Sequence, residues 1–277
     1  SMLKGVGGAA ALAAVGTGVS VAAAAPAQAA GLNVVEHQDG GRMQYYRFST
    51  PSIGWNPAVN VLLPDGYNPA RRYPVLYLLH GGGGDNKFMI FDQLGIRDYT
   101  VGRELIVVMP DGGTAGWDSN PVSSHVGPRN WETFHIKELI PWVDATFSTT
   151  GQASGRAVSG FSMGGFGALK YAAKHPELFG SVSSHSGPAD LRIQEGAVVH
   201  WANFTAGATD LKGGTIYGIP WDQARVSADN PVEHVESYRG KRVFLVSGTE
   251  SDRYESVVLP SQQRFGKALD DAGISYE

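Results

Sequence analysis

The chain has no cysteine, and that absence removes thiol nucleophiles, disulfide staples and Cys-based metal sites together. Charge is also sparse: charged residues are 17% of the 277, and the formal net charge is −4. No Lys/Arg-rich run stands out, so neither nucleic acid nor an anionic membrane surface is an expected partner. After the first 30 residues no segment approaches the roughly 18 consecutive apolar residues of a membrane span, so no integral membrane segment is expected there. What is present is 42% hydrophobic, which supports one large globular domain or two small ones, with nothing that suggests disorder.

Residues 1–29 stand apart. Met2-Leu3-Lys4 leads into an Ala/Gly/Val-rich run, and Ala27-Gln28-Ala29 places small residues at −3 and −1 of a cleavage before Ala30. A signal peptide and export, to the medium or the cell envelope, are the expectation. A membrane anchor is the rival, but Ala and Gly make the run only weakly apolar. Ser1, ahead of Met2, reads as an expression remnant, and 30–277 as a single domain.

Within it, Gln44–Phe48 and Ala58–Leu63 read as two antiparallel strands linked around Pro51, Gly54 and Pro57. Pro74–Leu79, Leu105–Met109, Phe179–Ser184 and Arg242–Ser247 are short, mostly apolar runs of the kind that form parallel strands buried on both faces. Helical patterns lie between and after them. Trp131–Asp144 carries Trp131, Phe134, Leu139 and Trp142 on one face, with a kink or an early end expected at Pro141, and Phe265 and Leu269 mark a last helix. The alternation predicts a doubly wound α/β sheet, mostly parallel, with antiparallel N-terminal strands. Between Pro188 and Asn230 the chain reads as irregular. Trp201, Phe204, Tyr217 and Trp221 there make either the wall of a pocket or a packed surface excursion.

The stretch Gly160-Phe161-Ser162-Met163-Gly164-Gly165 lies between a predicted strand and a predicted helix. Gly-x-Ser-x-Gly in that setting suits a nucleophile elbow, whose strained turn leaves no room for side chains at Gly160 and Gly164. The alternative is a Gly-rich turn with a serine that merely caps the helix. A serine nucleophile needs a base, a group that orients the base, and donors for the oxyanion. His80-Gly81-Gly82-Gly83-Gly84 directly follows a strand and would form an oxyanion loop, with the N–H groups of Gly82 and Met163 as the hole. No Gly-Lys-Ser/Thr follows it, which argues against a phosphate loop. Glu250 and Asp252, just past the strand at 242–247, are the candidates for the acid. The base is the gap. In the order Ser, acid, His it should follow Asp252, yet all eight histidines precede it. His185 could lie near Ser162, although a structural or pocket-lining role suits it better. The chain stops at Ile274-Ser275-Tyr276-Glu277, which reads as the start of a further strand, and the C-terminal end with the base is expected beyond residue 277.

From about Val59 onward the chain resembles the antigen 85 and esterase D group of α/β-hydrolases. This "putative esterase" family includes mycolyltransferases, feruloyl esterases and S-formylglutathione hydrolases. The resemblance rests on Trp131-Glu132-Thr133-Phe134, Glu138-Leu139-Ile140-Pro141-Trp142, Gly160–Gly165, His175-Pro176 and Ser184-His185-Ser186-Gly187, with Val108–Gly112 and Trp117–Asn120 in support. It implies an α/β-hydrolase fold, Ser162 as nucleophile, and Asp252 as acid ahead of Glu250, because Gly248-Thr249-Glu250-Ser251-Asp252 is similar to the mycolyltransferases' Gly-Thr-x-x-Glu. The family's histidine, in a Gly-His-x-Trp-like segment, has no counterpart here. The mycolyltransferases are alike in having Asp where this chain has His80, and Ala-rich residues where it has Gly164-Gly165; both differences favour an ordinary esterase.

Three functions are therefore expected in turn: a secreted serine esterase, an acyltransferase that passes the acyl group to trehalose or a cell-wall sugar, and a non-catalytic binder of cell-wall glycan or host matrix. The expected partner is a small-molecule or lipid acyl ester, with a sugar acceptor in the second reading. No cofactor and no metal are assigned. Little turnover is expected of residues 30–277 alone.

Overall fold

The computed structural model describes residues 31–83, 90–249 and 252–277. Residues 1–30, where the cleavable leader is expected, Gly84 and Glu250 lie outside these. One sheet holds β1 (Asn33–Gly40), β2 (Met43–Ser49), β3 (Ala58–Leu62), β4 (Val75–Leu79), β5 (Ile106–Pro110), β6 (Arg156–Phe161), β7 (Ser181–His185) and β8 (Arg242–Val246), in the order β1-β2-β3-β5-β4-β6-β7-β8. β1, β2 and β3 run antiparallel, β3 pairs antiparallel with β5, and the strands from β5 to β8 are mutually parallel. This is the mostly parallel, doubly wound sheet the sequence predicts.

β5 shows why such strands form. Ile106, Val107, Val108 and Met109 are all fully buried, so both faces of the strand are covered and no polar alternation survives. β1 was not expected. Its sequence is polar and mostly exposed, as befits an edge strand paired on one side only.

The chain leaves β4 for β5 through two short helices, α1 (Ile90–Gln93) and α2 (Ile96–Tyr99), and then crosses to β6 on the other side of β4. The strand order therefore reverses between β4 and β6, and their carboxyl ends open a crevice, where open α/β sheets bind ligands. The helical stretch from 133 is a π-helix over Thr133–Leu139 that runs directly into α3 (Ile140–Thr146). Pro141 is the second residue of α3 and follows the π-helix without a break, so its missing N–H removes one donor from a continuing helix. A change of helical pitch thus replaces the expected kink.

α4 (Met163–Lys174) follows β6, and α7 (Glu255–Asp271) buries Phe265 and Leu269 as expected. The stretch between Pro188 and Asn230 is not irregular: it contains α5 (Ile193–Ala208) and α6 (Gln223–Asp229). Left-handed backbone at Gln194, Glu195 and Gly196 breaks the periodicity at the start of α5 and hides it from pattern reading. This insertion builds a second core, with Val198, Val199, Ala202, Ile216 and Tyr217 packed near Trp117, Met163 and Phe166. The final residues lie along β8: the Glu277 N–H donates to the Val243 carbonyl at 3.0 Å, and the Glu277 carbonyl accepts the Leu245 N–H at 2.7 Å.

Candidate active site

β6 delivers the chain at Phe161, and α4 begins at Met163, so Ser162 alone makes the turn. Its φ of 54° and ψ of −115° are strained for any residue with a side chain. The turn closes because its flanks are bare. A Cβ on Gly160 would collide with the Gly164 backbone, and one on Gly164 would collide with the Leu79 carbonyl at the end of β4. The Ser162 N–H is held by the His185 carbonyl at 2.8 Å, while its carbonyl accepts the Phe166 N–H at 3.0 Å. The side chain makes no capping bond to α4, which sets aside the helix-cap alternative. Ser162 instead lines a cavity of about 500 Å³ shared with Gly82, Met163, Trp117, Trp201, Phe204, Thr205, Asp252 and Tyr254.

His80 and Gly81 follow β4. Buried His80 accepts the Gly112 N–H on Nε2 at 2.8 Å, so its proton is on Nδ1, which donates to the Gly81 carbonyl at 2.7 Å. An amide can only donate, and that fixes the tautomer. His80 thereby ties the loop after β4 to the loop after β5. A second tie joins the Gly83 N–H to the Thr114 carbonyl at 2.7 Å. Gly82 lies beside Met163: a Cβ built on it would be 3.7 Å from Met163 Sδ. Met163 is the first residue of α4, where backbone N–H groups have no acceptor within the helix.

Asp252 reaches the same cavity from the start of α7, where its Oδ1 accepts the N–H groups of Tyr254 and Glu255, both at 2.7 Å. Glu250, the alternative acid, lies outside the described residues. Among the described residues no histidine lines the cavity. His185 shares only its backbone with the elbow: its ring bonds Ser183 Oγ at 2.8 Å and packs on Phe244. His175 pairs with Glu132, His135 with Tyr171 and the Asp111 carbonyl, His37 with Gln44 and His234 with the Ser227 carbonyl, while His200 packs edge-on against Trp221. Among the described residues no group of His, Asp and Glu is arranged to hold a metal ion, and no helix is long and apolar enough to cross a membrane.

The insertion supplies one wall. Trp201 packs edge-on against Trp117 at 5.1 Å between centroids and lies against Tyr254 at 5.3 Å. Trp117 Nε1 donates to Thr205 Oγ1 at 3.0 Å. Of the aromatics singled out in the sequence, Trp201 and Phe204 line the cavity, Tyr217 is buried in the second core, and Trp221 covers Gly196.

Behind α4 lies a buried charge cluster that sequence reading missed. Lys170, fully buried, donates to the Asp118 carbonyl at 2.5 Å and to Ser119 Oγ at 2.7 Å, and stands 3.4 Å from Glu132. Lys174 bridges Glu132 at 3.0 Å and Asp229 at 2.6 Å. Burial pushes the Asp118 carboxyl up to about 7, although Lys170 pulls it down. Burial opposes ionisation of Glu132 as well, but Lys170, His175 and Lys174 together hold it well below the usual carboxylate range. Trp117 and Asp118 both adopt left-handed backbone, at φ 52° and 48°. Lys170 thus fastens the turn that presents Trp117 to the cavity. Only the separate motifs Trp117–Asn120 and Trp131–Glu132 signalled this cluster in advance.

A profile of the family described as "Putative esterase" matches residues 50–266. Esterase Rv1288 of Mycobacterium tuberculosis (strain H37Rv) is 61% identical over 257 residues, covering 89% of this chain and 56% of that protein, so the chain spans about half the length of that relative. The diacylglycerol acyltransferase/mycolyltransferase Ag85B of Mycobacterium leprae is 33% identical over 143 residues, covering 48% of this chain and 42% of that one. Among solved structures, M. tuberculosis MPT51 aligns with a TM-score of 0.68 at 22% identity, covering 87% of this chain and 88% of its own. An S-formylglutathione hydrolase from Agrobacterium tumefaciens aligns with a TM-score of 0.69 at 18% identity, covering 88% and 89%. At such identities these two show the fold, which is α/β-hydrolase-like. Matched by the profile over residues 50–266 and closely similar to a mycobacterial esterase, the chain belongs to the "Putative esterase" family.

Proposed function

We propose that the chain is an exported serine esterase that hydrolyses carboxylic esters through an acyl-enzyme on Ser162. The observation that carries this reading is the Ser162 side chain, free of capping duty on a strained elbow and lining an aromatic-walled cavity beside Gly82 and Met163. Ser162 Oγ attacks the ester carbonyl carbon as its proton passes to a general base. The carbonyl oxygen becomes an oxyanion held by the N–H groups of Gly82 and Met163, a term for which each donor contributes about 3 kcal/mol. The base returns the proton to the leaving alkoxide, the alcohol departs, and water then adds to the acyl-enzyme by the same sequence. Asp252 orients that base. Trp117, Trp201, Phe204 and Tyr254 receive the acyl group. Export rests on the leader-like residues 2–29.

Incubation with a serine-directed phosphonate tests the nucleophile. Ser162 is labelled, and S162A is not. Absence of labelling overturns the reading and favours a non-catalytic binder of cell-wall glycan or matrix. The identity to a mycolyltransferase supports a second reading, in which a sugar replaces water as acceptor. An acylated sugar formed from acyl ester only when trehalose is added would establish it, whereas free acid alone supports the esterase.

A further inference from the structure

Asp210 stands in the turn after α5, remote from Ser162 in sequence. Its carboxylate reaches the loop after β5, where Oδ1 accepts the Thr114 N–H at 3.1 Å and Oδ2 the Ala115 N–H at 3.0 Å. The Thr114 carbonyl in turn accepts the Gly83 N–H at 2.7 Å, and it lies 3.4 Å from where a Cβ on Gly82 would stand. A continuous path of carboxylate, amide, carbonyl and amide therefore runs from the insertion to the loop after β4. Gly113 is shaped to this contact. Its φ is 74°, and a Cβ there would collide with Asp210 Oδ2. Burial pushes the Asp210 carboxyl up, while the two amides it accepts pull it back.

We propose that Asp210 is a positioning residue for the oxyanion hole, holding the Gly82 N–H in place through Thr114 and Gly83. This rests on the esterase reading above. His80 clamps the near end of the same loop through Gly81 and Gly112. Asp210 clamps the far end, so the donor between them is fixed from both sides. A neutral amide at 210 keeps one acceptor oxygen and turns an N–H₂ toward the second donor. Alanine keeps neither.

The test compares wild type, D210N and D210A on a short activated ester, with amide hydrogen exchange over residues 80–83 measured on the same proteins. Even without a base, the residual rate of a serine hydrolase is carried by oxyanion hole and binding, so it reads the donor's placement. The expected result is a kcat lowered about tenfold in D210N and about thirtyfold in D210A, short of the roughly hundred- to thousandfold loss for removing a donor outright. KM stays within about twofold, and Gly83 exchange accelerates in the same order. An unchanged kcat in D210A, or unchanged exchange at Gly83, overturns the proposal. So does a loss in which KM rises and melting temperature falls along with kcat, equally in both variants, since that marks a role in the fold alone. If a serine-directed phosphonate leaves Ser162 unlabelled, the esterase reading falls, and exchange at Gly83 by itself decides whether Asp210 fastens the loop.

Discussion

Ser162 is held at φ 54° and ψ −115°, where a residue with a side chain is strained by about 1–3 kcal/mol. The glycines around it bear the opposite constraint, because their neighbours leave no volume for a Cβ. These two facts give predictions of opposite sign. Replacing Ser162 by Gly relieves the strain and gives up about 0.5–1 kcal/mol of backbone entropy, so S162G is more stable than S162A by about 1 kcal/mol in urea unfolding. Equal or lower stability of S162G would show that the elbow is not strained. G164A, whose new methyl meets the Leu79 carbonyl, is destabilised by about 3 kcal/mol or fails to fold. Asp252 calls for a different variant. Asn keeps the oxygen that accepts the Tyr254 and Glu255 N–H groups but loses the charge. D252N is therefore expected to melt within about 2 °C of wild type, a shift well under 1 kcal/mol, while esterase activity falls at least tenfold; unchanged activity would remove Asp252 from the catalytic reading. Ser162, Gly82 and Asp252, which share one cavity, could be put forward from sequence because they sit in short motifs beside strand ends. Asp210 was not, since its partners Thr114 and Ala115 are local to it only in space.

At the scale of elements, α4 shows where pattern reading stops. Every residue from Met163 to Ala173 is buried, so the helix has no polar face, and Lys170 looks in sequence like an ordinary solvent-facing lysine. Its partners Asp118 and Ser119 come from a loop, and Glu132 from the start of a helix, all distant along the chain. The same limit hid α5, which opens on left-handed residues, and β1, whose polar sequence carries no alternation. The parallel strands were legible for the opposite reason: burial on both faces forces unbroken apolar runs such as Ile106–Met109. Removing the Lys170 charge leaves Glu132 and Asp118 short of a buried cation, a loss that typically costs about 3 kcal/mol or more. K170M should therefore lower urea-unfolding stability by about that amount and also raise KM for acyl esters, because the Trp117 turn loses its Lys170 bonds. A K170M protein as stable as wild type would mean that the cluster contributes nothing net.

For the whole molecule, the buried pair Asp118 and His135, 3.6 Å apart, sets the response to mild acid. Asp118, desolvated beside Lys170 and Glu132, is raised to about 7. His135 is pushed down to about 3, by burial first, and also by His80 and Lys170, against its bond to the Asp111 carbonyl. The unfolded values are about 3.9 and 6.5. Between pH 4.5 and 6.5 the folded chain thus carries a proton on Asp118 that the unfolded chain lacks, so this group adds stability as pH falls. The folded chain also lacks a proton on His135 that the unfolded chain carries, so that group loses stability as pH falls. Each slope approaches about 1.4 kcal/mol per pH unit, and their signs are opposite. Unfolding then moves a proton from one residue to the other with no net uptake, so the pair itself adds almost no slope across this window, and the wild-type slope is that of other shifted groups such as Glu132 and His185. D118N should uncover the histidine's slope and lose stability steadily from pH 6.5 to 4.5. H135Q should uncover the carboxyl's slope and gain stability over the same range. Urea unfolding at pH 4.5, 5.5 and 6.5 separates the three curves, and a D118N curve parallel to wild type would show that Asp118 is already ionised in the fold.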